Sequence, residues 1–296
     1  MRNKIRGIIP PLATPLKDDE TVDKEQVRRL VSFLLEKGVH GLFVLGSTGE
    51  FPALTDEAKR GMIGTVLQEV HGRVPVLVGV TEPGTKRAIS WVRAAESEGA
   101  DAFVAAPPYY FRHTENEILR HFQMLADASP RPLLLYNIPV TTQNFLSLST
   151  IIKLSDHPNI IGIKDSTGDM AFFSQIVDAM EEKPFVILQG DDRLVALSLI
   201  RGGTGAINSC ANLVPEWFVS VYDAVQRGDV ASALFYQKKI NQVLGLLESV
   251  PFFAGLKEGL RLRGVNAGAV SAPLETLSEQ EKEQIKVTLV RHHLIP

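Results

Sequence analysis

The chain has 296 residues, 45% of them hydrophobic and 22% charged, which is enough apolar material for one large domain or two ordinary ones. Its net charge of -3 gives no electrostatic reason to expect nucleic acid or an anionic membrane as partner. A single cysteine, Cys210, rules out an internal disulfide and a metal-thiolate cluster, and suits a reducing compartment.

The N-terminal run Met1-Arg2-Asn3-Lys4-Ile5-Arg6-Gly7 is basic but meets Pro10-Pro11 before a signal-peptide core can develop. No uninterrupted stretch reaches the roughly 20 apolar residues of a membrane span. A cytoplasmic protein is expected. From there strand-like and helix-like segments alternate. Apolar runs at residues 7–10, 41–45, 74–80, 102–106, 133–136, 160–163, 185–189 and 205–207 read as strands. Helical patterns fall between them at 23–37, 55–70, 85–98, 115–128, 147–155, 170–180 and 193–201. In the first of these, Val27, Leu30, Val31 and Leu34 share one face. Asp56 and Glu57 open the second, where negative charge suits the helix dipole, and Gly99 stands where the third should end.

Eight strand-then-helix units, most at spacings of about 25 to 35 residues, predict a closed parallel (β/α)8 TIM barrel over residues 1–225. Further helical patterns at 217–227, 231–248, 252–263 and 278–290 predict a C-terminal helical appendage, residues 226–296. An open doubly wound sheet is the structural alternative, but the place of its glycine fingerprint holds Pro10-Pro11-Leu12-Ala13-Thr14-Pro15. Gly202-Gly203-Thr204-Gly205 precedes a strand and so carries little weight as a nucleotide loop.

Lys164 draws attention first. The run Asn159-Ile160-Ile161-Gly162-Ile163 is a buried-strand pattern that stops at a lysine, which places an amine at the mouth of a packed interior. Burial penalises the charged form of an amine, and a neutral amine attacks ketones. The plainer alternative is a lysine snorkelling to solvent. Barrel chemistry gathers at the C-terminal ends of the strands. Those positions hold Gly46-Ser47-Thr48-Gly49-Glu50, Pro107-Pro108-Tyr109-Tyr110, Tyr136-Asn137-Ile138-Pro139, Lys164-Asp165, Gly190-Asp191-Asp192 and Asn208-Ser209. The first suits a carboxylate or is an ordinary βα turn. Tyr136 either packs in the core or passes protons. No pair among the seven histidines has His-x-x-x-His spacing, so no catalytic metal is expected.

Gly46-Ser47-Thr48-Gly49-Glu50, Tyr136-Asn137-Ile138-Pro139 and Gly162-Ile163-Lys164-Asp165, in this order and at these separations, resemble the dihydrodipicolinate synthase / N-acetylneuraminate lyase family of pyruvate-dependent class I aldolases. The resemblance runs nearly end to end. It implies a carbon–carbon lyase in which Lys164 forms an imine (Schiff base) with pyruvate or a 2-oxo acid, and Tyr136 relays protons. It implies that Thr48 positions the tyrosine hydroxyl and that the Ser47 and Thr48 amides hold the carboxylate. Gly190 and Ile207 would form pocket walls. Tyr110 would reach across the interface of a homodimer, often paired into a homotetramer. No cofactor beyond the covalent imine is implied, and the partners are small molecules: pyruvate and an aldehyde or 2-oxo acid.

Thr141 stands where lysine-pathway synthases carry a carboxylate-binding arginine, and a threonine cannot make that bidentate contact. Gly49-Glu50-Phe51-Pro52 and Lys164-Asp165-Ser166-Thr167-Gly168-Asp169 look more like 4-hydroxy-2-oxoglutarate and 2-keto-3-deoxy sugar acid aldolases. In sialic-acid lyase-like members Asp191, Asp192 and Ser209 would bind substrate hydroxyls; the other reading of these residues is helix capping. The leading expectation is an aldolase acting on a 4-hydroxy-2-oxo acid or a 2-keto-3-deoxy sugar acid. Alternatives are 4-hydroxy-tetrahydrodipicolinate synthase, a keto-deoxy acid dehydratase and, last, a non-catalytic 2-oxo acid binding protein.

Overall fold

The computed structural model describes residues 4–296; residues 1–3, the start of the basic N-terminal run, lie outside the described residues. Eight strands occur where apolar runs predicted them: β1 (Gly7–Ile8), β2 (Leu42–Val44), β3 (Val76–Gly79), β4 (Ala102–Ala105), β5 (Leu133–Asn137), β6 (Ile160–Asp165), β7 (Val186–Gln189) and β8 (Gly205–Ala206). All neighbours are parallel, in the order β1-β8-β7-β6-β5-β4-β3-β2. The sheet closes on itself through backbone bonds from His40 N to Ile8 O, Phe43 N to Pro10 O and Leu12 N to Phe43 O. Closure removes both sheet edges, as a barrel requires.

The connecting helices are α1 (Lys24–Glu36), α2 (Asp56–Val70), α3 (Thr85–Ser97), α4 (Glu115–Ala128), α5 (Pro139–Thr142), α6 (Leu148–Ser155), α7 (Met170–Ala179) and α8 (Val195–Arg201). They are followed by α9 (Pro215–Gln226), α10 (Val230–Glu248), α11 (Phe252–Leu262) and α12 (Glu279–Arg291). Side-chain oxygens of Asp23, Thr55, Thr114, Ser147, Asp169 and Ser278 accept from the first free N–H groups of their helices. Each such cap is worth about 1 kcal/mol. The single-turn α5 was not foreseen: Pro139 at its first position suits a helix start, but the stretch is too short to show a period.

Two apolar layers result. Ile9, Phe43, Leu77, Val104, Leu134, Val186, Leu188 and Ile207 fill the barrel interior. The outward residues of the same strands, among them Ile8, Leu42, Val44, Leu135, Ile160 and Ile163, pack beneath the helices. Leu244, Leu256, Ile285 and Leu289 of the C-terminal helices join that outer layer. Among the described residues no helix is long and apolar enough to cross a membrane.

One irregularity determines what the interior contains. Leu133 pairs with Ile160 but Leu134 pairs with Gly162, so Ile161 is an extra residue in β6. Strict alternation from Ile160, an outer-layer residue, would turn Lys164 outward beneath the helices. The bulge shifts the phase by one, so Lys164 pairs with Tyr136 and Leu188, which both face inward. Nor does the strand stop before the lysine, as its apolar run suggested; it continues through Asp165. Gly162 makes room for the bulge, because a Cβ there would sit 2.5 Å from Val186 O and 2.6 Å from Val186 Cβ.

Candidate active site

Lys164 is 4% exposed, and its Nζ lies 4.1 Å from the ring centroid of Tyr136 and 5.5 Å from that of Phe43. Among the described residues it has neither an ion pair nor a hydrogen bond. An amine held this way has two aromatic faces beside it and no carboxylate bonded to it, so it is free to engage a ligand. Its alkyl chain passes Gly190: a Cβ at that glycine would lie 3.0 Å from Lys164 Cε and 1.8 Å from Ser166 Oγ. A side chain at residue 190 would first have to displace the Ser166 hydroxyl, so Gly190 leaves room for that group and for the lysine chain beside it. Ile207, fully buried in the inner layer, forms another part of the interior.

After β2 the chain coils into a short 3-10 turn, Ser47–Gly49, bracketed by two non-glycine residues in the left-handed region, Leu45 (φ 60) and Glu50 (φ 57). Such strain persists only where surroundings enforce it. The opening N–H groups, on Ser47 and Thr48, find no acceptor within so short a turn, and such groups suit an anion. With three residues per turn, successive side chains point about 120° apart. Ser47 accordingly lines the same cavity as Tyr136, while the Thr48 hydroxyl bonds Ser209 Oγ at 2.7 Å. The expected contact between Thr48 and the Tyr136 hydroxyl is thus replaced by one to Ser209, and Ser47 is the hydroxyl that shares the tyrosine's cavity.

The other expected substrate contacts divide. Asp191 Oδ1 accepts from Arg193 N at 2.8 Å and caps a short 3-10 turn, while Asp192 Oδ1 accepts from Cys210 N at 2.9 Å across to the loop after β8. Burial pushes the Asp192 carboxyl up to about 6, opposed by the bond from Cys210 and by the charge of Lys164. Asp165 is likewise pushed up to about 6 by burial, against bonds from Thr167 and Asn137. Thr141 is exposed and donates to Ile138 O at 3.3 Å; no cationic side chain joins it in lining the cavity. Tyr110 is 75% exposed, has φ 83 and lies edge-on to Phe111, itself exposed, at 5.0 Å. Its loop is fastened on both sides by Asn144, whose Nδ2 donates to Pro108 O and Phe111 O at 2.9 and 2.8 Å.

Several groups escaped the sequence reading. The Ser166 hydroxyl, beside Lys164, and the Asn208 amide are buried without a hydrogen-bond partner among the described residues, a costly state that marks a place for a ligand or water. Ser166 could have been noticed from its place two residues after the lysine, on the same side of an extended chain. Asn208 gave no comparable signal. Another is a buried ion pair: Lys257 Nζ of α11 lies 2.7 Å from Glu50 Oε1, with side chains 3% and 1% exposed. Glu50 Oε2 accepts from Ser271 N at 2.6 Å, and Lys257 Nζ donates to Ala269 O at 2.5 Å. Burial pulls the Lys257 ammonium below its ordinary range, and Glu50 opposes that. Through this pair the 269–274 segment is fastened over the Ser47–Gly49 turn, where Ala272, Pro273, Leu274 and Phe253 complete a cavity of about 340 Å3. Among the described residues no group of three or more His, Cys, Asp or Glu could hold a metal ion.

The family model described as the Dihydrodipicolinate synthetase family matches residues 4–292. The 4-hydroxy-tetrahydrodipicolinate synthase of Methanoculleus marisnigri is 36% identical over 290 residues, covering 97% of this chain and 99% of that one. A protein of Escherichia coli K12 named "Probable 2-dehydro-3-deoxy-D-pentonate aldolase YjhH" is 32% identical over 298 residues, 99% of each chain. The solved structure of YagE from E. coli K12, a prophage protein of the dihydrodipicolinic acid synthase family in complex with pyruvate, superposes with a TM-score of 0.93 at 33% identity, covering 98% of this chain and 99% of that one.

The buried pair gives a stability prediction. Lys257→Met leaves Glu50 buried and unpaired, which should cost about 3–5 kcal/mol in denaturant unfolding. Lys257→Met with Glu50→Gln should recover most of that loss. A single variant within about 1 kcal/mol of wild type would show that the pair does not hold the segment down.

Proposed function

The chain belongs to the dihydrodipicolinate synthetase family and is a carbon–carbon lyase of the pyruvate-dependent class I aldolase type, and on that premise we propose that it makes or breaks the C3–C4 bond of a 4-hydroxy-2-oxo acid through an imine on Lys164. The observation that carries this reading is the unpaired Lys164 amine inside the barrel, 4.1 Å from the Tyr136 ring. In the cleavage direction the amine adds to the C2 ketone and water leaves, giving a protonated imine. The C4 hydroxyl gives its proton to a base, the C3–C4 electron pair moves to the imine nitrogen, and an aldehyde departs. The enamine carbon then takes a proton, and water releases pyruvate and restores the amine. The protonated imine is the electron sink, a fixed positive centre where negative charge develops.

Tyr136 supplies the proton relay, with Ser47 on the same cavity wall to orient its hydroxyl. The free N–H groups of Ser47 and Thr48 hold the pyruvate carboxylate, Thr48 being braced by Ser209. Gly190 and Ile207 shape the floor. The relative named a 2-dehydro-3-deoxy-D-pentonate aldolase supports a substrate of the 4-hydroxy-2-oxo acid class, to which 2-keto-3-deoxy sugar acids also belong. Condensation with aspartate semialdehyde is disfavoured, because Thr141 and its neighbours offer no cation for a second carboxylate. On this reading Asp191 caps the turn after β7 and Asp192 ties it to the loop after β8.

Pyruvate release from a 4-hydroxy-2-oxo acid tests the reaction. Lys164→Ala should abolish release with the thermal melt preserved, and Tyr136→Phe should lower kcat by about 10²- to 10⁴-fold. A folded Lys164→Ala protein that still releases pyruvate would refute the mechanism.

The working unit is a homodimer or homotetramer in which Tyr110 enters the neighbouring site. An exposed aromatic pair on a loop pinned by Asn144 is preformed for such insertion, at little entropic cost. Sedimentation at assay concentration should show a dimer or larger, and Tyr110→Ala should weaken both assembly and activity. A fully active monomer would contradict this.

A further inference from the structure

The cavity that begins at Ser47 and Tyr136, whose ring lies 4.1 Å from Lys164 Nζ, and runs out under the 269–274 segment is the space open to the aldehyde half of the substrate; beyond the Ser47, Tyr109 and Tyr136 hydroxyls, its polar side chains are committed elsewhere. Thr81 Oγ1 accepts from Ala106 N at 2.9 Å, and Thr141 and Thr142 Oγ1 both donate to Ile138 O, at 3.3 and 3.0 Å. Glu50, the one charged residue of the lining, is held by Lys257 and by Ser271 N. What faces the space is the rings of Phe51, Tyr109 and Phe253 with the aliphatic surfaces of Ile138, Pro273 and Leu274. Phe51 and Tyr109 already meet edge-on at 6.3 Å, the arrangement in which a further ring packs well. The unpartnered Ser166 hydroxyl and Asn208 amide do not line this space.

We propose that the aldehyde taken up or released here carries an apolar substituent, aromatic or branched aliphatic, in place of hydroxyls or a second carboxylate. The proposal rests on the aldolase reading above and concerns only what is attached to the aldehyde carbon. An apolar substituent loses water and gains contacts with six side chains. A polyhydroxylated one gives up hydrogen bonds to water for a wall whose threonines already serve the backbone. A carboxylated one meets no cation. In the synthetic direction the enamine carbon of pyruvate forms a bond to the aldehyde carbon. The aldehyde oxygen takes the proton from Tyr136, and water hydrolyses the imine to give a 4-hydroxy-2-oxo acid with the apolar group at C4.

The experiment uses the full-length protein with pyruvate and either benzaldehyde or D-glyceraldehyde, with the aldol and its dehydrated product counted together by mass spectrometry. Borohydride trapping of the pyruvate imine is run in parallel. Benzaldehyde should exceed glyceraldehyde in kcat/KM by about tenfold or more, the order an apolar pocket exerts against an added hydroxyl. Leu274→Asn should narrow that ratio. Glyceraldehyde matching or beating benzaldehyde, or neither being consumed, while the pyruvate imine is still trapped, overturns the apolar substituent and leaves the aldolase reading standing. No trapped imine removes the aldolase reading itself, and the proposal with it.

Discussion

A single extra residue in one strand decides which way the Lys164 amine points. A parallel barrel strand alternates between the inner space and the helix layer, and Ile160 begins β6 on the outer side. Without Ile161 as a bulge, Lys164 would emerge beneath the helices and the interior would receive Ile163 in its place. With it, the lysine stands between Tyr136 and Leu188 at the C-terminal end of the barrel, where the loops after the strands can reach it. The bulge in turn depends on Gly162, since any side chain there would collide with the backbone of β7. The Tyr136 ring and the open space at Gly190 are arranged around an amine whose direction this local phase shift sets.

The other organising contact is long in sequence and short in space. The Glu50–Lys257 pair joins the strained turn after β2 to the first helix beyond α10 and to the 269–274 segment. Taking two charges out of water costs several kcal/mol per ion, so the pair is weak evidence for net stability; its strength lies in what it fixes. Glu50 sits in the left-handed region and closes the Ser47–Gly49 turn with its N–H on Ser47 O. The C-terminal region thereby contributes to the cavity directly, through Phe253 of α11 and Leu274 of the segment that follows it, and is fastened to the turn after β2.

Much of this was legible in the residues. The alternation of apolar runs and helical periods gave the barrel, and the order of motifs gave the family, because both are local patterns repeated along the chain. The expected helices began at Asp23, Thr55, Ser147 and Ser278, and in the structure those side chains cap helices that start one residue later. The bulge was not: Ile160-Ile161-Gly162-Ile163 is apolar at every position, so it carries no period to show where the phase slips. Thr48 and Ser47 could not be told apart by adjacency, since the tight turn that sends them in different directions is a tertiary outcome. Asp191 and Asp192 had two readings, and the bonds to Arg193 and Cys210 favour capping for the first and a tie to the loop after β8 for the second. The Glu50–Lys257 pair was invisible because nothing near either residue points to the other.

The central claim is that the inward phase of β6 makes Lys164 the imine-forming amine. Incubation with pyruvate and borohydride, followed by peptide mass mapping, tests it most directly. A reduced pyruvyl adduct is expected only on the peptide that contains Lys164, and none in Lys164→Ala. An adduct on either of the other two buried lysines, Lys59 and Lys257, or no adduct in the folded wild-type protein, would contradict it.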